Sequence, residues 1–288
     1  MMWENLKHEQ KEKYKTLITN FASLSEAFSQ KAEAEDSEDR ESYVAPIVNS
    51  KFQETVFQKA FHAVGEDIAN TSYDASLVVD EQHKYLVGIK SFGLDSGDQK
   101  IAQFKKDSQS WNELLSEIRF HADISPDKET ADKENDARYE KLAREIATLR
   151  NQRIESSKAL IKGFHSDSSH VEAVYHVLMP TSKGHKPQIH VGETTYLPVD
   201  LDHLKILGST TKNNPTNFRF TDGHHDYKYT AADSQLHMTF RNKEIVVDTW
   251  DVNYVEDPFS LFENLHLLTS EKSDSEILET VSWVITDK

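Results

Sequence analysis

Two apolar runs joined by a short polar turn, between residues 73 and 92, constrain the fold of this chain more than any other feature. The first run is Leu77, Val78 and Val79, and the second begins at Tyr85 and continues through residue 87. Short apolar runs rich in β-branched and aromatic residues, separated by a polar turn, are typical of a β-hairpin. We therefore predict two antiparallel strands joined by a turn at residues 81–83.

An acid and a lysine stand at the open end of this hairpin. Pairing outward from residue 82 places Asp74 directly opposite Lys90, with Cβ atoms about 5 Å apart on one face of the sheet. The pair has two interpretations. One is a cross-strand ion pair, which contributes little to stability. The other is a metal-binding carboxylate beside a lysine that positions a water molecule and offsets the charge developing on a phosphate.

Helices are predicted on both sides of the hairpin. The first spans residues 51 to 64, with Ser50 as N-cap, Gln53 completing a capping box and Gly65 as the stop signal. Gln53 falls inside the apolar stripe of this helix, and Glu54 lies at its margin. The second predicted helix spans residues 99 to 119 and carries three polar residues in its first turns: Gln99, Lys100 and Gln103.

A helix with a glutamate, a hairpin with an acid and a lysine, and a helix with polar residues together resemble the PD-(D/E)XK nuclease superfamily, and within it the type II restriction endonucleases. The resemblance covers about residues 45–120. It implies an α/β (α+β) fold with a mixed sheet flanked by helices, and an Mg²⁺-dependent endonuclease that acts on DNA. Asp74 and Glu54 would be metal ligands and catalytic acids, and Lys90 the catalytic lysine. Supporting roles would fall to Gln103, Gln99, Lys100 and Gln53.

The chain departs from the family pattern at two positions. Tyr73 replaces the usual proline, and Gly88 stands where a second acid is usual. Because glycine leaves room above a strand, Glu54 is expected to enter that space from the preceding helix. The alternative is a catalytically inactive nuclease fold that binds nucleic acid or protein.

The distribution of predicted helices, loops and strands divides the chain into four parts. We predict an N-terminal helical segment (1–44), a nuclease-like core (45–124), a loop followed by a long helix from residue 137 to 164 (125–169), and a β-rich C-terminal half with terminal helices (170–288). The helices between residues 108 and 164 form a helical hairpin insertion. A scaffold that acts through this helical hairpin is a third hypothesis.

A second hairpin is predicted in the β-rich half, at residues 217–229, because Asp222-Gly223 is a strong turn signal. A β-ribbon fits the major groove of DNA. We therefore name the basic and polar residues of this hairpin as candidate DNA contacts: Arg219, His224 and Lys228.

Amino-acid composition limits the kinds of site, the cellular compartment and the class of protein that we expect. The chain has no cysteine, which excludes disulfides and cysteine-ligated metals and favours a reducing cytoplasm. No signal peptide or membrane-spanning segment is expected, because no apolar run is long enough. The formal net charge is −16, which argues against a protein that coats nucleic acid non-specifically. Homodimerisation is a further expectation, since two DNA strands must be cut.

Overall fold

The computed structural model describes residues 1–28, 43–65, 72–161 and 171–265. Two β-sheets form the centre of this part of the chain, and helices cover them. The helices are α1 (Met2–Asn5), α2 (His8–Ala22), α3 (Ser25–Phe28), α4 (Ser50–Phe61), α5 (Asn112–Ile124), α6 (Lys128–Leu160) and α7 (Pro258–Asn264), with a 3-10 turn at Ser108–Trp111. No helix in these ranges is long and apolar enough to cross a membrane.

The first sheet is mixed and has six strands. They are β1 (Val64–Gly65), β2 (Ala75–Val78), β3 (Lys84–Ser91), β5 (Val171–Pro180), β6 (Gln188–Thr195) and β11 (Val246–Asp251), adjacent in that order. Only the β3–β5 pair is parallel, and it joins Gly88 to Tyr175. The mixed α+β architecture predicted from the sequence is therefore confirmed.

The second sheet is antiparallel and has five strands. They are β4 (Gln99–Gln103), β10 (Gln235–Met238), β9 (Asp226–Thr230), β8 (Asn214–Thr221) and β7 (Lys205–Thr211), adjacent in that order. The predicted hairpin at residues 217–229 is confirmed, because Phe220 pairs with Tyr227 across β8 and β9. Both sheets draw strands from before residue 124 and from after residue 170.

Two hydrophobic cores lie on opposite faces of the first sheet. One packs α1, α2 and α4 against the face that carries Val87 and Ile89. The other lies between the opposite face, which carries Leu86, and the second sheet with α5 and α6. Alternate residues of β3 therefore serve different cores.

Helix α6 is long because it packs along its length. Its N-cap is Asp127, whose carboxylate accepts a hydrogen bond from the Thr130 backbone. The prediction of a loop from residue 125 to 136 is therefore wrong beyond the cap. Tyr139, Leu142 and Ile146 are fully buried against the second sheet. This internal packing counts against a scaffold that offers these helices to partners.

Polar side chains of α6 also hold the connection between the two sheets. Arg150 donates to the Leu197 carbonyl at 2.9 Å, and Arg144 donates to the Leu201 carbonyl at 2.9 Å. Asn151 both donates to and accepts from the Val199 backbone at 2.8 Å. The segment from residue 197 to 201, which leads from β6 towards β7, is thus fixed to the helix at three points.

One predicted element has the wrong secondary structure. Residues 99–103, expected to begin a helix, form β4, and α5 begins only at Asn112. Pairing of Gln103 with Gln235 and of Gln99 with Met238 supplies the backbone hydrogen bonds that a helix would otherwise make. A partner more than 130 residues away overrides the local pattern. The predicted helix at residues 273–283 lies outside the described residues.

Candidate functional site

The hairpin that carries Asp74 and Lys90 forms, but its register differs from the predicted one. Leu77 pairs with Tyr85, and Ala75 pairs with Val87, so the hairpin is centred on residue 81 and not on residue 82. The prediction that Asp74 lies directly opposite Lys90 is therefore wrong. The paired residues begin at Ala75, opposite Val87, and the Asp74 N–H also donates to the Val87 carbonyl, so the Asp74 backbone lies next to Val87 and not across from Lys90.

Asp80 explains the change of register. Its carboxylate accepts hydrogen bonds from the backbone N–H groups of Gln82 and His83, both at 2.8 Å. The Val79 N–H donates to the His83 carbonyl and closes the loop. An aspartate that binds the backbone two residues ahead is typical of a turn. Asp80 is thus a turn residue, although the turn predicted from the sequence begins only at residue 81.

The carboxylate of Asp74 is anchored to strand β3. Its Oδ2 accepts a hydrogen bond from the Ile89 backbone N–H at 2.6 Å, and its own N–H donates to the Val87 carbonyl at 2.9 Å. The Asp74 side chain therefore adds one hydrogen bond between the two strands beyond Ala75, where the pairing of β2 begins. This bond fixes the acid next to the residue that precedes Lys90.

Lys90 is half-buried near the end of β3, directly after the buried run from Tyr85 to Ile89. Within the described ranges no ion pair joins its ammonium to Asp74 or to another carboxylate.

The space beside Gly88 is filled. A Cβ atom at this position would lie 2.9 Å from ring atoms of both Tyr175 and Tyr196. These two rings stack at 4.0 Å, and the guanidinium of Arg150 lies over Tyr196 at 5.2 Å from its centroid. Glu54 therefore does not occupy this space, contrary to the expectation from the sequence. The sequence carries no signal for this stack, because β5 and the residue after β6 bring it to β3.

Glu54 belongs to the other side of the first sheet. Helix α4 packs on the face of β3 that carries Ile89, and successive strand residues point to opposite faces. The Glu54 carboxylate binds Lys51 at 2.7 Å, one turn away on its own helix. The N-cap of α4 is Asn49, which accepts from the Phe52 N–H, and not the predicted Ser50.

The remaining candidate supporting residues are spread over two elements. Gln53 is fully buried on α4, and its amide makes no hydrogen bond to the described residues. Gln99, Lys100 and Gln103 lie on β4 in the second sheet, and not on a helix after the hairpin. Gln103 donates to the Asp233 carbonyl at 3.0 Å. No described hydrogen bond or ion pair links these residues to Asp74 or Lys90.

Two of the candidate DNA contacts in the second hairpin, Arg219 and Lys228, form ion pairs with Asp98. Asp98, with a side chain 8% exposed, binds Arg219 at 2.5 Å and Lys228 at 2.9 Å, and it accepts from Thr239 at 2.7 Å. Burial alone would raise the pKa of Asp98, but the hydrogen bonds from these three partners outweigh it and hold the pKa well below its usual range. Arg219 and Lys228 thus share one carboxylate, which balances half of their combined positive charge.

His224 is exposed at the hairpin turn, and its backbone N–H donates to Asp222 at 3.0 Å. Asp222 also accepts from the His225 N–H at 2.7 Å and from the Tyr227 hydroxyl at 3.1 Å. This buried aspartate organises the turn, while Gly223 adopts a φ of 85° that favours glycine.

Among the described residues, no group of three or more histidine, aspartate or glutamate side chains is arranged to hold a metal ion. Asp74 alone still fits one mode of Mg²⁺ binding, in which one or two carboxylates act together with water and substrate phosphates. No protein-family model matches the chain, no curated protein matches it, and no solved structure matches it.

Proposed function

We propose that this chain hydrolyses phosphodiester bonds in DNA as a metal-dependent endonuclease of restriction type. The observation that carries the proposal is the hydrogen bond from the Ile89 N–H to Asp74, which fixes an acid beside Lys90. The mixed sheet flanked by helices supports a restriction-endonuclease-like fold. A homodimer that cuts both strands is part of the proposal.

The roles of the residues follow from their chemistry. Asp74 would hold Mg²⁺ together with a substrate phosphate, and the bound ion would supply electrostatic stabilisation of the phosphate charge. The Lys90 ammonium would donate hydrogen bonds to the attacking water and to a phosphate oxygen. Glu54 would contribute a second carboxylate only if it left both Lys51 and its side of the first sheet.

A cleavage assay on supercoiled plasmid tests the proposal. We expect cleavage with Mg²⁺ that EDTA abolishes, and a loss of about 10²–10³-fold in Asp74→Asn and in Lys90→Ala, as for removal of one group that stabilises a transition state. Asp136→Asn and Lys141→Ala, both exposed on α6, are matched controls that keep activity. Equal cleavage by Asp74→Asn and Lys90→Ala would refute the assignment.

A catalytically inactive nuclease fold that binds nucleic acid or protein is the second candidate. The Tyr175–Tyr196 stack favours it, because it fills the position where the family has its second acid. A binding measurement on the same plasmid distinguishes the two candidates. A wild-type protein that binds DNA but does not cut it with any divalent metal would support this candidate over the first.

A further inference from the structure

A polar groove of about 590 Å³ lies between α5 and two turns of the second sheet. Helix α5 lines one wall with Asn112, Leu115, Arg119 and Asp123, which share a helix face because they are three or four residues apart. The opposite wall consists of the turn between β7 and β8 and the turn between β9 and β10. The Lys212 ammonium donates to the Ser125 carbonyl at 2.7 Å and ties the first of these turns to the end of α5.

Amide side chains dominate the chemistry of this groove. Asn112, Asn213 and Asn214 line it, and all three are exposed. An amide offers a donor pair and an acceptor, and asparagine pairs with adenine through both. Because the net charge of −16 opposes approach to the phosphates of a duplex, contacts to base edges also need positive charge close to the groove.

Positive charges lie beside the amides. Arg119 is exposed and lines the groove, and Lys105 and Lys106 are exposed on the segment that leads to Ser108, a groove residue whose hydroxyl donates to the Lys105 carbonyl at 2.9 Å. Within the described ranges none of these three cations forms an ion pair. They differ in this respect from Arg219 and Lys228, which share Asp98.

We propose that this groove binds the DNA substrate: Asn112, Asn213 and Asn214 contact base edges, while Lys105, Lys106 and Arg119 contact the flanking phosphates. The inference rests on the proposed function, since it names the surface by which the same substrate is recognised. The proposed base contacts lie at one end of β8, whereas the β8–β9 hairpin expected from the sequence to contact DNA lies at its other end.

Binding selection on the full chain tests the inference. The probe is a pool of fluorescein-labelled 40-base-pair duplexes with a randomised centre, bound with Ca²⁺ in place of Mg²⁺ to limit cleavage. We expect the double variant Asn112→Ala/Asn214→Ala to lose about tenfold in affinity for the sequence that wild type enriches. Its affinity for the unselected pool should change less than twofold. Asn20→Ala, exposed on α2, is the matched control.

The double variant Lys105→Ala/Lys106→Ala should weaken binding to both probes. It should also lower the salt dependence, by about 0.9 in slope for each phosphate that the protein no longer neutralises. Unchanged enrichment and unchanged affinity in the asparagine variant would overturn the inference, and plasmid cleavage by that variant would then leave the proposed function standing. A wild type that neither binds the duplex pool nor cuts plasmid would overturn both. Preferential binding of a single-stranded pool, unaffected by the asparagine changes, would also overturn the inference.

Discussion

Asp74 takes over a backbone role on strand β3, because its carboxylate accepts the hydrogen bond of the Ile89 N–H at 2.6 Å. The paired residues of β2 begin only at Ala75, so this N–H would otherwise lack a strand partner on that side. Structural support and candidate chemistry therefore meet in one side chain.

Substitution of Asp74 separates these two roles. Asp74→Asn keeps an oxygen that accepts from Ile89, whereas Asp74→Ala removes it. We expect Asp74→Ala to lower the free energy of unfolding by about 1–2 kcal/mol, and Asp74→Asn to lower it less. Both should lower metal-dependent cleavage by about 10²–10³-fold. Urea denaturation and the plasmid assay measure the two effects, and an active Asp74→Asn would leave only the structural role.

Gly88 is required by the rings packed against it. We expect Gly88→Ala to lower the free energy of unfolding by about 1–3 kcal/mol, because the new Cβ would press on both Tyr175 and Tyr196. Gly93→Ala is the matched control, since a Cβ there would have no neighbour within 4 Å. Denaturant titration of the two variants checks this prediction. If Gly88→Ala is as stable as Gly93→Ala, the two tyrosine rings accommodate the new Cβ without a loss of free energy.

The Asp98 cluster stabilises the second sheet. Asp98→Asn would leave Arg219 and Lys228 without their shared carboxylate, and we expect a loss of about 2–3 kcal/mol in the free energy of unfolding. Chemical denaturation beside Asp136→Asn measures it. If the loss is no larger than in that exposed control, the cluster contributes nothing to stability.

His176 should make stability depend on pH. The ring is fully buried between Trp3 and Tyr14, its Nε2 lies 3.1 Å from the Tyr14 hydroxyl, and burial lowers its pKa to about 3. Between pH 6.5 and pH 3 the unfolded chain binds a proton that the folded chain excludes. Stability from this residue is therefore present above pH 6.5 and falls as the pH drops towards 3.

The comparison of wild type with His176→Phe isolates this contribution. The variant should lose less stability on acidification, with slopes that differ by up to about 1.4 kcal/mol per pH unit. Glu193, whose pKa is raised by burial, acts in the opposite direction but is present in both proteins. Parallel pH profiles from urea denaturation would contradict the prediction.

Sequence patterns correctly predicted the elements whose structure is determined by neighbouring residues. The apolar runs around residues 77 and 87 form strands, and the Asp222-Gly223 turn forms a hairpin, because neighbouring residues specify both. The register of the first hairpin was missed, since Asp80 binds two N–H groups in the turn. Strand β4 and the rings beside Gly88 were missed because distant segments create them.

The attachment of residues 197–201 to α6 bears on whether a fragment of the protein can fold alone. The two sheets share one hydrophobic core, and the helix holds the chain that passes between them. A fragment ending at residue 124 would lack β5, the neighbour of β3, and would expose Leu86 to water. We therefore expect neither half of the chain to persist as an autonomous folding unit.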